Sequence, residues 1–324
     1  MFHFPIPLKR SLIVIFIFLL SSSIYSQGKA VEINYKRNDD KSISFSFKKK
    51  NPGSTYIIVN FNKFENAKGK PTIKKTIKGF SGNLLKLEPL DEKRGISFSF
   101  SYTYLIGTSR TKIDRDFKYV LPFKNDKEVK ALDLNYVGKR FGNSSPKNWK
   151  SIQFLTKPNE LVYAARKGMV VAIKNGFSED TKGPYSYKSE ANHIIIEHDD
   201  GTLAKYGVLK KNSMLVKLGQ KVYPSTPIAS AGTYDTEKNS QLRFGVYYLD
   251  KEVLNSYKKG EKQTLGNQKH YYAYVNPIFY TKSEATQLIS GEQYIATYND
   301  AIVEFEMSKR EKKKWLKMKN EKND

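Results

Sequence analysis

Few side chains in this sequence could do acid–base or metal chemistry. There are four histidines and no cysteine. His193 and His198 bracket a short apolar run, His193-Ile194-Ile195-Ile196-Glu197-His198, and Asp199, Asp200 and Gly201 follow it. Imidazoles beside carboxylates are raw material for a zinc site or a general base. The spacing argues against both. On a strand, residues five apart point to opposite faces and cannot share an ion without a bulge. Both histidines are therefore expected to be structural. Glu197, Asp199 and Asp200 are expected to shape the turn and pair with lysines. His270, in Lys269-His270-Tyr271-Tyr272, stands alone. Without cysteine there are no disulfides and no thiol catalysis, so stability must come from apolar cores.

The elements that would carry these groups are strands. Ser42–Phe47 and Ser97–Tyr104 alternate apolar and polar residues, and Tyr56–Phe61 is more continuously apolar. A period of two marks strands with one buried face. Breaks fall at Asn51-Pro52-Gly53, Gly69-Lys70-Pro71 and Ser81-Gly82-Asn83. This predicts a small β-sandwich, a spacer or binding module with no catalytic constellation. Further on, Leu161–Ala165 and Gly168–Ile173 are expected to be adjacent strands. His193–His198 and Thr202–Val208 form a hairpin through Asp199-Asp200-Gly201. Leu215–Val222, Pro227–Ala231 and Leu242–Tyr248 complete a second β domain.

The fold class is therefore all-β, a sandwich-like domain followed by an antiparallel β-sheet domain and a basic tail. At roughly 100–200 residues per domain, a chain of 324 residues suits two. The expected boundaries are 1–26 for an export segment, 27–118 for the sandwich, 119–280 for the second domain and 281–324 for the extension. Lys9 and Arg10 precede the apolar run Ser11–Leu20, and Ser26 supplies a small exit residue. This is the pattern of a signal peptide, and the run is short for a membrane span, with an uncleaved anchor as the alternative. Export to the periplasm or cell surface follows, which sets nucleic acid aside as a partner. A net charge of +24 then points to anionic lipid or acidic envelope polymers.

The second domain resembles the lysostaphin/LytM-type zinc endopeptidases, which cut peptide cross-bridges in peptidoglycan. Asn192-His193-Ile194-Ile195-Ile196-Glu197-His198-Asp199-Asp200-Gly201 is similar to that family's hairpin. Val162-Tyr163-Ala164-Ala165-Arg166-Lys167-Gly168-Met169-Val170-Val171 and Val216-Lys217-Leu218-Gly219-Gln220-Lys221-Val222 resemble two more of its segments, and Ile228 and Gly232 fall at matching positions. The resemblance implies a zinc held by an early His and Asp and by the second His of a late His-x-His strand. It also implies catalytic histidines at the first position of that strand and in a Tyr-x-His-Leu strand. None of these survives here. Gln241 and Arg243 stand at the late strand and Val208 at the other catalytic position. Gln153 stands for the early Asp, and Trp149 or Ser145 for the early His. A guanidinium repels a divalent cation, and an amide is a poor zinc ligand.

No zinc, no cofactor and no catalysis are therefore expected. The former cleft, with Gln153, Tyr206, Gln241 and Arg243, becomes a candidate binding surface. Arg243 there either pairs with an acid of its own chain and plugs the vacant metal position, or receives a carboxylate from a ligand. The resemblance implies a non-catalytic envelope protein that binds peptidoglycan or regulates or scaffolds a cell-wall hydrolase. An active endopeptidase with a reorganised site and a structural or adhesive module are the alternatives. The tail, Lys309–Lys322, carries eight basic residues against two acids. It suits either a basic amphipathic helix on an anionic membrane or polymer, or a solvated end.

Overall fold

The computed structural model describes residues 30–136, 144–177, 191–233, 240–258 and 270–321. The expected export segment lies outside them. Six strands run over residues 31–106: β1 (Val31–Arg37), β2 (Ile43–Lys49), β3 (Thr55–Glu65), β4 (Thr72–Ile77), β5 (Ser81–Leu87) and β6 (Ser97–Ile106). They form two three-stranded sheets, β1-β2-β5 and β4-β3-β6. The alternation in β2 puts Ile43, Phe45 and Phe47 inside, against Ile57, Val59 and Phe61 of β3. The expected break at Ser81-Gly82-Asn83 falls instead inside β5, and the chain turns just before it, where Gly79 has a φ of +75°.

The rest of the strands are β7 (Lys118–Val120), β8 (Glu128–Asp133), β9 (Ile152–Leu155), β10 (Leu161–Tyr163), β11 (Gly168–Lys174), β12 (His193–Glu197), β13 (Leu203–Gly207), β14 (Lys221–Val222), β15 (Pro227–Ser230), β16 (Gly232–Thr233) and β17 (Ser240–Leu249). After helix α1 (Lys251–Asn255) come β18 (Tyr272–Val275), β19 (Ile278–Tyr280), β20 (Ala285–Gln287) and β21 (Gln293–Ile295). The tail holds α2 (Asp300–Glu304) and α3 (Lys309–Asn320). A ten-stranded sheet runs β14-β11-β12-β13-β17-β9-β8-β21, with β16 and β18 paired to β17. The hairpin closes as its sequence requires: Gly201 adopts a φ of +88°, and His198 N–H donates to Thr202 O at 2.9 Å. Two expectations are corrected. β10 pairs with β15 rather than with β11, and Leu215–Val222 yields a strand only at Lys221–Val222.

Both faces of this sheet are covered. Val170, Ile194, Ile196, Tyr206, Leu242 and Phe244 face the main core with Val162, Val222 and Ile228. Val171, Ile195, Leu203 and Tyr247 face the other way, against Ile106 at the end of β6. The sandwich thus packs on the sheet's second face, and Tyr56 and Ile58 join Leu249 and Leu254 there. This explains the unbroken Ile194-Ile195-Ile196, since a strand buried on both sides shows no alternation. Ser54 N–H donates to the buried Glu197 Oε2 at 2.7 Å across the junction. Gly53, with a φ of +77°, allows this approach, because a Cβ there would collide with Glu197 Oε2 and Val171 Cγ1.

The tail folds back through two neighbouring cations. The buried Arg166 meets Asp200 Oδ2 at 2.7 Å and Glu306 Oε1 at 2.8 Å, and its guanidinium lies 3.5 Å from the Phe117 ring centroid. Lys167 meets Asp199 at 3.0 Å and Glu311 at 3.2 Å. Each cation joins one acid of the hairpin turn to one acid of the tail.

Candidate functional site

The candidate site lies on the second face, at the end of the sheet away from Glu197. Antiparallel register sets Lys174 opposite His193, His193 opposite Gly207, Gly207 opposite Arg243, and Arg243 opposite Gln153. Directly opposed residues share a face, so these five positions form one row across five strands. Gly207 contributes no side chain, and Lys205, two residues before it on the same face, reaches beside the gap. A Cβ on Gly207 would be 4.0 Å from Lys205 Cε.

Arg243 is half-buried, and its Nε donates to Oε1 of the buried Gln241 at 3.0 Å. Lys205 reaches solvent, yet crowding by protein and the charge of Lys174 lower its pKa. His193 carries Nδ1 2.9 Å from Ala191 O. Val208, just past β13, is buried with a φ of +62°, an unusual conformation for a β-branched residue, and Gly232 N–H donates to its carbonyl at 2.8 Å.

The structure brings together Gln153, Gln241 and Arg243. It does not bring Tyr206 to them. Parity puts Tyr206 opposite Ile194 and Phe244, fully buried in the main core, where its hydroxyl accepts from Ala165 N–H at 2.8 Å. Trp149 sits in an aromatic cluster, 4.6 Å from Tyr274 and 5.0 Å from Tyr136 by ring centroids, and its Nε1 donates to Leu134 O. Ser145 lines the pocket beside that cluster. His198 is buried against the core, and its Nδ1–H donates to Lys167 O at 2.7 Å. Burial first, and then the charge of Arg166, lowers its pKa to about 4, so the ring is neutral. Lys174, His193 and Lys205 were missed as site residues. The hairpin register would have revealed His193 opposite Gly207 and Lys205 two residues before it, whereas Lys174 needs the β11–β12 pairing as well.

Chemically, the row and its two neighbours Lys205 and Gln241 offer a guanidinium, two ammonium groups, an imidazole and two amides. Among the described residues no three of His, Asp and Glu gather where an ion could be held. The groups at the positions that the resemblance assigns to zinc are an amide, a guanidinium and an indole or hydroxyl, which do not fit that metal.

The fold is that of a β-sheet domain of the LytM type, with Gln153 and Arg243 opposite each other in its candidate site. Residues 147–256 match peptidase family M23, so the chain carries an M23 domain there. No curated protein matches the sequence. Several solved structures resemble it. The catalytic domain of the prophage-encoded M23 protein EnpA from Enterococcus faecalis is 14% identical over 39% of this chain and 85% of its own, with a TM-score of 0.25. A zinc-containing peptidase from Vibrio cholerae is 16% identical over 67% and 75%, with a TM-score of 0.28. Csd3 from Helicobacter pylori is 13% identical over 75% and 77%, with a TM-score of 0.25.

Proposed function

We propose that this chain is a non-catalytic envelope protein whose M23 domain binds a peptide of the cell wall or the acidic side chain of a partner such as a cell-wall hydrolase. One observation carries the reading. Arg243, which the resemblance sets at the family's zinc-ligand position, is bonded to Gln241 and lies opposite Gln153. A group that repels a cation and grips a carboxylate converts a metal site into an anion-reading site. The apolar frame around it is intact, so the domain needs no ion to fold. Export through the N-terminal apolar run belongs to the same proposal.

The test combines elemental analysis with a digestion assay. The purified chain should hold far less than one zinc after dialysis and should not clear a peptidoglycan suspension. Its melting temperature should not change with a strong chelator. About one zinc per chain surviving dialysis, or clearing that chelators abolish, would overturn the reading.

A further inference from the structure

Helix α3 separates its residues by arc. At about 100° per residue, Glu311, Lys312, Trp315 and Lys319 fall within one arc of about 100°, and all four are partly buried. That arc is docked. Glu311 accepts from Lys167 and from Lys221, the latter at 3.0 Å. Lys312 pairs with Glu304 at 3.3 Å, and Lys319 pairs with Asp300. A capping box at Ser308 and Glu311 fixes the start of the helix. The Ser308 backbone N–H and the surrounding lysines hold the Glu311 carboxyl well below the ordinary range.

The opposite arc presents Lys309, Arg310, Lys313, Lys314 and Lys317, all exposed, with Leu316 exposed among them. Glu311 is the one acid within α3, and it lies on the docked side. Glu321, just past the helix, is 3.8 Å from Lys317. Phe305, in the turn that feeds α3, is 77% exposed. The docking ion pairs therefore orient the helix with a cationic face outward and a large apolar residue, Leu316, at its border.

We propose that this outward face of α3 is a peripheral contact for a bilayer rich in anionic phospholipid. Charge complementarity supplies the attraction, and juxtamembrane cations near an acidic leaflet act additively. Leu316 and Phe305 favour a bilayer over a soluble polyanion, because only a bilayer offers an apolar boundary beneath its charges. The proposal is independent of the reading of the cleft.

The contacts described above fall within residues 30–321, so the test uses the chain from Gln27 onward. It is sedimented with vesicles of neutral phosphatidylcholine, with and without a quarter phosphatidylglycerol. The chain should bind the anionic vesicles, bind neutral ones far less, and release as salt rises. Replacing Arg310, Lys313, Lys314 and Lys317 together by Gln removes four cations worth roughly fivefold each, so partitioning should fall by about a hundredfold or more. The docked arc is untouched, and an unchanged melting curve controls for folding. Leu316→Ser should also weaken vesicle binding while leaving binding to soluble polyglutamate unchanged. Equal binding by the fourfold variant, or no binding by the parent, overturns the proposal. A Leu316→Ser variant that binds vesicles as well as the parent, with polyglutamate displacing both, overturns the bilayer in favour of a polymer.

Discussion

Arg166 and Arg243 are guanidiniums in the same M23 domain, and their surroundings differ. Arg166 is buried at the junction of hairpin and tail, where Asp200 and Glu306 meet it from two sides. Its neighbour Lys167 repeats the arrangement with Asp199 and Glu311. Arg243 is half-buried in a row whose members are Lys174, His193, Gly207 and Gln153, and the partner at its Nε is the neutral amide of Gln241. Beside that row Lys205 bears a charge that its surroundings disfavour. A protein spends matched acids on a cation that must hold structure. In the row, cations from three strands share one face, which is where the proposed anion would be held. The difference is one of role, and stability measurements should expose it.

The largest effect is expected at the clamp. Arg166→Ala removes a buried cation and leaves Asp200 and Glu306 facing each other without it. Breaking a buried pair by removing one partner costs about 3–5 kcal/mol. Urea unfolding at neutral pH should show a loss of that size. The tail should also become sensitive to proteolysis near Met307, which is now buried. A loss below about 1 kcal/mol would mean that the clamp is no tighter than a surface pair, and the contrast between the two regions would collapse.

Much of this frame was legible in the sequence. Val162, Val170, Ile194, Ile196, Val222, Ile228, Leu242 and Phe244 could be picked as core by period and resemblance, and all are fully buried. The hairpin declared itself through Asp199-Asp200-Gly201. What could not be read was long-range. Ile195 gave no sign that a separate domain would bury it, because a strand's own pattern does not say what covers its second face. Tyr206 was assigned to the cleft from the family's motif, but the register of β13 turns it into the core and leaves Lys205 on the cleft face. Arg166 and Lys167 sat in a recognisable segment, yet their acids Glu306 and Glu311 lie about 140 residues away. Pairing at that distance has no local signature.

A smaller effect on stability is expected in the row. Arg243→Ala removes the hydrogen bond from its Nε to Gln241 and leaves a buried amide to re-pair, a loss of about 1 kcal/mol for that bond. The melt should therefore stay near that of the parent. Binding of a carboxylate-bearing peptide or of an acidic partner should weaken by about 2–5 kcal/mol if the contact is a desolvated charge pair. Calorimetry on parent and variant reads both quantities. A loss of stability as large as that of Arg166→Ala, with binding intact, would show that Arg243 plugs the old metal position.

The smallest effect has the opposite sign. Lys205 is less easily protonated in the fold than in the unfolded chain, through crowding by protein and then through Lys174. A lysine with a lowered folded pKa binds protons less well when folded, so its charge opposes folding wherever the unfolded chain carries it. The opposition is complete below the lowered folded pKa. It fades as pH rises toward the unfolded value near 10.4. Lys205→Gln keeps much of the stem and deletes the charge. At neutral pH it should raise stability by a few tenths of a kcal/mol, a small figure because the ammonium reaches solvent and is screened. Titrating the clamp and the row in parallel makes the contrast sharp, since removing a cation destabilises in one place and stabilises in the other. If Lys205→Gln instead lowers stability, Lys205 has a structural anion partner and the row is a second clamp. If it raises stability and weakens acidic-peptide binding together, that strain is the cost of keeping a cationic site poised for its ligand.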